Sequence, residues 1–267
     1  MDASLIAVDI GNSRIKFGLF DTEDTARGTA DLPQPASTLE LSPEPWDPAP
    51  IDAWLKKAGE PRARWLLGSV NRKTCARLVG WIEQHDTAAN IAELHVADLP
   101  LVVALDEPER VGIDRLLAAV AVNRLRSQRR PAVVIDLGSA ITVDLVTAEG
   151  AFAGGAILPG IGMSARALHE QTDLLPHLYK KGLGAAPPAL GVSTVAAIES
   201  GLYWGAVGAM RELVHQLSQD QSRKPEIFLT GGAAPAVAER FGPDAQYVPH
   251  LVLAGIALVR PATISNV

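Results

Sequence analysis

The sequence predicts an α/β protein made of two related domains, each a mixed sheet flanked by helices. Three observations predict it: one short motif occurs twice, each copy opens a run of three strands, and helices and a further strand follow each run. The copies begin at Asp9 and Asp136, and this spacing of 127 residues is far longer than the period of the short-repeat families. We predict that the domains cover 1–130 and 131–267.

The motif itself predicts a ligand-binding turn. Its copies are Asp9-Ile10-Gly11-Asn12-Ser13 and Asp136-Leu137-Gly138-Ser139, and each lies between two apolar runs with strand character. Glycine lets the backbone approach a ligand closely, while hydroxyl and amide side chains donate to phosphate oxygens. A single such aspartate could merely accept hydrogen bonds within its own turn. Two aspartates in matched settings favour a shared cation or phosphate site.

Apolar periodicity and helix caps predict the other elements of the first half. Four arginines (Arg124, Arg126, Arg129 and Arg130) crowd the end of its last helix, and we interpret them as a solvated face that complements the helix dipole. In chain order the predicted elements are a strand meander over 5–31, an irregular proline-rich connection over 32–50, a helix over 51–57, a strand over 64–70, a helix from its N-cap Asn71 to His85, a strand over 91–96 and a helix over 114–128.

The second half repeats this order. Its longest helix carries Gly201, Gly205 and Gly208, which would allow another element to approach closely. In chain order the predicted elements are strands over 132–137, 140–147 and 150–157, a glycine-rich exit over 154–160 opening a helix to Glu170, a loop over 176–192, a helix over 193–219, a strand over 225–230, and helices over 234–241 and 251–260.

Composition narrows the class of protein. The net charge of −6 gives no support to nucleic-acid or anionic-membrane binding as the main task. A single cysteine, Cys75, excludes an internal disulfide and a cysteine-based metal site. No signal peptide is evident, and no apolar run reaches the roughly 18 residues that a membrane span requires. We therefore expect a cytoplasmic protein.

Asp114 and Arg115, at the start of a predicted helix, are the candidates for acid-base and anion-binding roles. Asp114 could simply stabilise the helix dipole, or it could be a general base placed beside an arginine that clamps an anion. Lys16 could reach a phosphate or could be an ordinary surface lysine. The Walker-type and dinucleotide-binding glycine motifs are absent from the sequence, which argues against those two nucleotide-binding classes.

Several segments along the chain carry a resemblance to a known family: Asp9–Lys16, Gly112–Arg115, Asp136–Thr142, Gly154–Gly160, Ser193-Thr194 ahead of Glu199–Gly201, and Thr230–Gly232. The turn at Thr230 could face the adenosine of a nucleotide or could be a simple strand-to-helix connection. Taken together, the segments resemble those of type III pantothenate kinase, a family of the acetate-and-sugar-kinase/actin superfamily. The resemblance implies two duplicated ribonuclease-H-like domains, as in actin-like ATPases. It also implies ATP-dependent phosphorylation of pantothenate, the first step of coenzyme A synthesis.

The resemblance also implies roles for individual residues. Asp114 would be the general base for the substrate hydroxyl, Asp9 would hold Mg²⁺, and Asp136 would hold a monovalent cation (K⁺ or NH₄⁺). The chain would form a homodimer, with the helix from Ser193 as a candidate contact. ATP would be bound by Asp9, Ile10, Gly11, Asn12, Ser13, Arg14, Ile15, Lys16 and Ser139. Pantothenate would be bound by Leu105, Gly112, Ile113, Asp114, Arg115 and Thr194.

Two positions depart from the family pattern. Leu105 stands where the family often has a tyrosine that packs on the substrate, and Ser139 stands where it usually has threonine. Loss of the tyrosine leaves open an alternative, a catalytically weak or inactive relative that acts as a regulatory binding protein. A third hypothesis is a sugar or acetate-type kinase, or a phosphatase, of the same superfamily, and the short chain and the Gly112–Arg115 segment argue against it.

Overall fold

The computed structural model describes residues 4–21, 32–59, 63–178 and 184–260. The chain forms two compact units. The second unit spans Arg126–Pro249, and the first unit ends at Leu125 and resumes at His250. Among the helices in the described ranges, none is both long and apolar enough to cross a bilayer.

The elements of the first unit are β1 Ser4–Ile10, β2 Ile15–Phe20, β3 Ser37–Leu41, α1 Ala49–Lys57, β4 Ala63–Ser69, α2 Arg72–His85, β5 Asn90–Glu93, α3 Ile113–Leu125 and α6 Leu251–Leu258. Its five-stranded mixed sheet has the order β3-β2-β1-β4-β5, in which β1 pairs antiparallel with β2 and parallel with β4. Alternate side chains of β1, such as Ile6 and Val8, pack with Trp54 and Leu78 on one face, while α3 and α6 contact the sheet as well.

The second unit repeats this sheet. Its elements are β6 Ala132–Leu137, β7 Ala140–Val146, β8 Phe152–Pro159, α4 Ile161–Glu170, α5 Thr194–Gln219, β9 Glu226–Thr230 and β10 Gln246–Tyr247. The strand order read from the edge, β8-β7-β6-β9-β10, has the same antiparallel and parallel pairs in the same places. Val133 and Ile135 of the central strand β6 pack on Tyr203, Val207 and Met210 of the long helix α5.

The register of the two sheets gives the paired aspartates matching positions. Asp9 is the last but one residue of β1, opposite Lys16 of β2 and beside Gly68 of β4. Asp136 is the last but one residue of β6, opposite Thr142 and beside Thr230. Each carboxylate therefore lies at the carboxyl end of a central strand, just before its turn, as the repeated motif predicted.

Several predicted elements differ from the observed ones. The connection over 32–50 contains β3, and the segment over 234–241 forms two 3₁₀ turns, Ala234–Ala236 and Ala238–Phe241. Part of the predicted meander, over 22–31, lies outside the described residues. The last helix, α6, was placed in the domain over 131–267, whereas the structure packs it with the first unit. The reason is an apolar surface over almost the whole of Leu251–Ala257, buried against α3 and β1.

Candidate active site

The first turn, between β1 and β2, is short and exposes polar groups at its tip. The backbone N–H of Gly11 donates to the carbonyl of Arg14 over 2.9 Å, which closes the turn. Asn12 and Ser13 are exposed there, as phosphate-binding side chains must be. Lys16 lies beside the aspartate, with Nζ 3.8 Å from Oδ2 of Asp9.

Three of the predicted ATP-binding residues of this turn are constrained by the fold. The side chains of Ile10 and Ile15 are fully buried, so these residues can offer a nucleotide only their backbone groups. The guanidinium of Arg14 forms an ion pair of 2.8 Å with Glu40 on β3. The groups of the turn best placed for phosphate are therefore the backbone, Asn12, Ser13 and Lys16.

Asp114 lies in the first turn of α3, and burial sets its chemistry. Its Oδ1 accepts the backbone N–H of Arg115 over 2.9 Å, and the same N–H also donates to the carbonyl of Gly112 over 3.1 Å. Burial raises the pKa of the carboxyl above its ordinary value, while the Arg115 N–H, the Arg115 charge and the Lys16 charge oppose that rise. A carboxylate that costs free energy to keep charged is a better proton acceptor than an exposed one.

Glycine at position 112 is required by this arrangement. A Cβ at residue 112 would lie 2.6 Å from Oδ1 of Asp114, so any side chain would displace the carboxylate. It would also lie 3.6 Å from Val70, just beyond the end of β4. The Gly112–Arg115 segment thus brings Asp114 to the carboxyl end of the first sheet, where Asp9 also lies.

His250 lies near Lys16 of the first turn, a proximity that the sequence did not predict. It precedes α6 in a left-handed conformation, with φ of 56°. Burial, helped by the positive charge of Lys16, lowers the pKa of the imidazole, and Glu40 acts in the opposite direction. A lone histidine before an apolar helix carries no pattern, so only the tertiary structure could place it near Lys16.

The second turn, between β6 and β7, is enclosed by two glycines that directly follow other strands of the sheet, Gly160 after β8 and Gly231 after β9. The N–H of Gly160 donates to the carbonyl of Ser139 over 3.1 Å, and a Cβ there would lie 2.7 Å from the carbonyl oxygen of Gly138. At Gly231, where φ is +91°, a Cβ would collide with Oδ1 of Asp136 and would lie 2.6 Å from the carbonyl oxygen of Leu137. Only glycine fits at either position.

The oxygen atoms around the second turn suit a hard cation. The Asp136 carboxylate and the carbonyls of Leu137, Gly138 and Ser139 come from one short stretch, and carboxylate and carbonyl oxygens are donors that hard cations prefer. That the ion is monovalent stays a prediction. Neither Gly160 nor Gly231 was among the predicted site residues. The available signals were the position of Gly160 at the end of the predicted glycine-rich exit and the position of Gly231 directly after a predicted strand.

The donor set of the first turn suits Mg²⁺ only if phosphate supplies most of the ligands. No group of three or more histidine, cysteine, aspartate or glutamate side chains able to hold a metal exists among the described residues. Mg²⁺ in nucleotide sites is commonly held by one or two carboxylates together with phosphate oxygens and water. Asp9, whose side chain is 14% exposed, fits that role.

The remaining predicted substrate residues lie in both units. In the first unit, Leu105 is half-buried in the loop before α3 and Ile113 is buried. In the second unit, Thr194 is exposed in the first turn of α5, directly after Ser193, whose Oγ caps the helix by accepting the N–H of Ala196 over 3.2 Å. Their part in binding pantothenate stays a prediction.

Solved structures show the same fold at low sequence identity. A putative 2-dehydro-3-deoxygalactonokinase from Sinorhizobium meliloti superposes with a TM-score of 0.56 at 12% identity, covering 95% of this chain and 97% of the other. An activator of 2-hydroxyisocaproyl-CoA dehydratase from Clostridium difficile, with bound ADPNP, gives 0.52 at 12% identity and covers 96% and 93%. The predicted actin-like ATPase fold with two ribonuclease-H-like domains is confirmed.

Sequence comparison identifies the family. Residues 5–216 match the family model described as type III pantothenate kinase. A protein of that name from Paramagnetospirillum magneticum is 35% identical over 247 residues, 88% of each chain. Another from Rhodospirillum rubrum is 32% identical over 265 residues, which is 96% of this chain and 97% of the relative. The chain belongs to the type III pantothenate kinase family.

Proposed function

We propose that this protein transfers the γ-phosphoryl group of ATP to the primary hydroxyl of pantothenate, with Asp114 as the general base. Family membership supports the reaction and the kinase class. The observation that carries the role of Asp114 is its position: a partly buried carboxylate with a raised pKa at the start of α3, close enough to Lys16 to feel its charge.

Asp114 would prepare the nucleophile. Its carboxylate accepts the proton of the pantothenate hydroxyl as the oxygen bonds to the γ-phosphorus, and the bond to ADP breaks. The hydrogen bond from the N–H of Arg115 to Oδ1 of Asp114 fixes the carboxylate, so that it need not reorganise during the transfer. Gly112, Ile113, Arg115, Thr194 and Leu105 are proposed to bind pantothenate, and Arg115 offers a planar fork for the carboxylate of that substrate.

Phosphoryl transfer otherwise depends on positioning and charge neutralisation. The turn from Asp9 to Lys16 is proposed to hold the phosphates of ATP, through its backbone N–H groups, Asn12, Ser13 and Lys16, and Ser139 is proposed to contact ATP. Asp9 would hold Mg²⁺, which supplies positive charge to the phosphates when bound. Asp136 and the carbonyls of its turn would hold the monovalent cation, K⁺ or NH₄⁺.

The alternative, an inactive regulatory relative, gains no support from the comparisons. It rested on Leu105, which removes a ring and a phenolic donor from the predicted pocket. Asp9, Asp114, Arg115 and Asp136 are all retained. We therefore expect the change at Leu105 to weaken the binding of pantothenate and not to abolish its phosphorylation.

A coupled assay of ADP release tests the proposal. Pantothenate should stimulate ADP release in K⁺ more than in Na⁺, and Asp114→Asn should lower kcat by roughly 10²-fold or more because the proton acceptor is lost. Asp106→Asn, an exposed aspartate eight residues earlier, is the control and should keep the full rate. Absence of pantothenate-stimulated turnover in either salt would reject the kinase proposal, and a full rate in Asp114→Asn would reduce Asp114 to a helix-end residue.

A homodimer is proposed as well, through the second unit. Apolar side chains are exposed on the edge strand β8, on α4 and before and within the first turn of α5, and exposed apolar clusters mark interaction surfaces. The exposed Gly201, Gly205 and Gly208 of α5 would permit close approach of a second copy. The exposed apolar set is Ile157, Met163, Leu168, Leu190, Val192 and Val195.

A further inference from the structure

A basic cleft lies at the end of the second sheet where β6 begins and β7 ends, and the Asp136–Ser139 turn lies at the other end. Three connections border it: the loop from α3 to β6, the β7–β8 turn and the loop from α5 to β9. Its volume is about 570 Å³, within the range of small-molecule sites. The lining residues are Arg126, Gln128, Arg129, Ala148, Glu149, Ser222 and Arg223.

Specific hydrogen bonds hold the framework of the cleft. The sequence analysis interpreted the arginines here as a solvated helix end, but Arg126 and Arg130 donate hydrogen bonds to backbone carbonyls of the surrounding loops. Nη1 of Arg126 donates to the carbonyls of Arg130 and Ala148 over 2.9 and 3.0 Å, tying the first loop to the β7–β8 turn. The Glu226 carboxylate accepts the backbone N–H and the hydroxyl of Ser127 over 2.8 and 2.7 Å.

Arg130 completes this framework from the same loop. Its Nε donates to the carbonyl of Lys224 over 2.9 Å, and Nη1 lies 3.4 Å from Glu226. The loop that carries Arg129 is therefore joined to the loop that carries Arg223. A cleft whose walls are connected in this way is preorganised, and preorganisation lowers the cost of binding a ligand.

Two arginines supply the positive charge that remains for a ligand. Arg126 is partly balanced by Glu149, whose pKa is lowered first by its own backbone N–H and Thr147, and also by the Arg126 charge. Arg129 and Arg223 are exposed, and in the part of the chain that the structure describes neither has a carboxylate partner. The backbone of Arg129 has a φ of 57°, a value that residues other than glycine rarely adopt.

We propose that this cleft binds a small anion with two adjacent phosphoryl groups, at the end of the second sheet opposite the Asp136 turn. Each guanidinium can bind one phosphoryl group in a bidentate manner, so two arginines match a diphosphate better than a single phosphate. The described lining residues include no aromatic side chain on which a base could stack, so charge would decide recognition. Inorganic pyrophosphate and the diphosphate of a nucleotide share this chemistry.

Isothermal titration with pyrophosphate in the absence of Mg²⁺ tests the site without using kinase activity, so its outcome is independent of the proposed function. The variant Arg129→Ser/Arg223→Ser should lose a binding event or weaken it roughly tenfold or more, since charge-assisted hydrogen bonds are lost. Arg72→Ser/Lys73→Ser, which removes two exposed positive charges from α2, is the matched control and should bind like the wild type. Orthophosphate should bind the wild-type cleft more weakly than pyrophosphate.

Arg129→Gly is a second variant that should stay folded, because glycine adopts positive φ freely. It should also weaken the binding of pyrophosphate. Parallel titrations with ADP distinguish the two sources: an ADP signal that the double variant loses points to a nucleotide, and a signal that it keeps points to the inorganic ion. Pyrophosphate binding that is equal in the wild type and the double variant, or that falls equally in the α2 control, would overturn the proposal.

Discussion

At the scale of single residues, Asp114 shows how one position can serve reactivity at the expense of stability. Its carboxyl is partly buried, and this burial raises its pKa although Arg115 and Lys16 favour the charged form. The fold must therefore keep a charge where burial opposes it. Removing that charge should harm the proton transfer and at the same time benefit the folded state.

Asp114→Asn should raise the thermal midpoint of unfolding at pH 7. The pKa of Asp114 is higher in the folded protein than in the unfolded chain. As the pH rises from the unfolded pKa to the folded pKa, ionisation therefore lowers the free energy of unfolding, and a neutral asparagine does not have this effect. At a pH below the ordinary carboxyl value of 3.8 both states are protonated, and the gain should vanish. Thermal melts of both proteins from pH 3 to 8 provide the measurement.

The exposed Asp106 again supplies the control, because Asp106→Asn should leave the midpoint nearly unchanged across this range. A lower midpoint for Asp114→Asn at pH 7 would show that the contacts of the charged carboxylate outweigh its burial.

In the wild type, the acidic limb of the pH profile of kcat/KM should lie above pH 3.8, since the base must lose its proton to act.

The cation proposed at Asp136 depends on Gly231. Gly231→Ala should raise the K⁺ concentration for half-maximal activity roughly tenfold or more, because the methyl group meets Asp136 Oδ1 and outer-shell changes of this kind cost 10- to 100-fold in metal affinity. Gly232→Ala is the control, since a Cβ at Gly232 has no neighbour within 4 Å in the described structure. If Gly231→Ala and the wild type depended on K⁺ concentration in the same way, Gly231 would have no part in binding the cation.

Sequence reasoning at this scale selected candidate residues that lie within motifs. It selected Asp9, Asp114 and Asp136 because each has a distinctive neighbour set along the chain, and their roles stay predictions. His250 and the enclosing Gly160 and Gly231 were not identified as site residues, because their relevance arises from strands and helices that are distant in sequence.

At the scale of elements, local signals placed most helices and strands to within a few residues. Asn71 was predicted to cap α2, and its side chain accepts the N–H of Thr74 over 3.1 Å. β3 was missed because prolines surround Ser37–Leu41 and its pairing with β2 is a tertiary contact. The 234–241 segment was predicted as a helix, but Pro235 and the short apolar runs there support only 3₁₀ turns.

The contact between α3 and α6 is the element-level feature that local signals could not predict. Gly255 of α6 packs directly on the backbone of Leu117 in α3, and a Cβ there would lie 2.7 Å from the Leu117 carbonyl carbon. Backbone cannot move aside as a flexible side chain does. The close approach of these two helices therefore depends on glycine at this position.

Gly255→Ala should destabilise the protein by about 1–3 kcal/mol, the usual cost of overpacking a core. Gly80→Ala, in the interior of α2 with no neighbour within 4 Å of its Cβ position among described residues, should instead gain up to about 1 kcal/mol from helix propensity. Urea unfolding of both variants measures the change in the free energy of unfolding, which should be a decrease for Gly255→Ala and an increase for Gly80→Ala. A Gly255→Ala protein as stable as the wild type would mean that the two helices can separate without cost.

At the scale of the whole molecule, the exposed apolar set of the second unit bears on assembly. Val195→Glu should shift the mass in solution from two chains to one, because a charge would be buried at the proposed contact. Light scattering after size exclusion measures the mass. Val102→Glu, at an exposed apolar position of the first unit, is the control and should keep the mass of the wild type. An unchanged mass for Val195→Glu would place any contact elsewhere.

The passage of the chain out of the first unit at Leu125 and back at His250 has a consequence for biosynthesis. On the ribosome, the sheet that begins at Ser4 must wait, with part of its apolar surface uncovered, until Leu251–Leu258 has emerged. The unit over Arg126–Pro249 contains no residue beyond 249, so its whole sequence has been synthesised earlier. We therefore expect the domain whose synthesis starts first to finish folding last, and to be the one that depends on chaperones during translation.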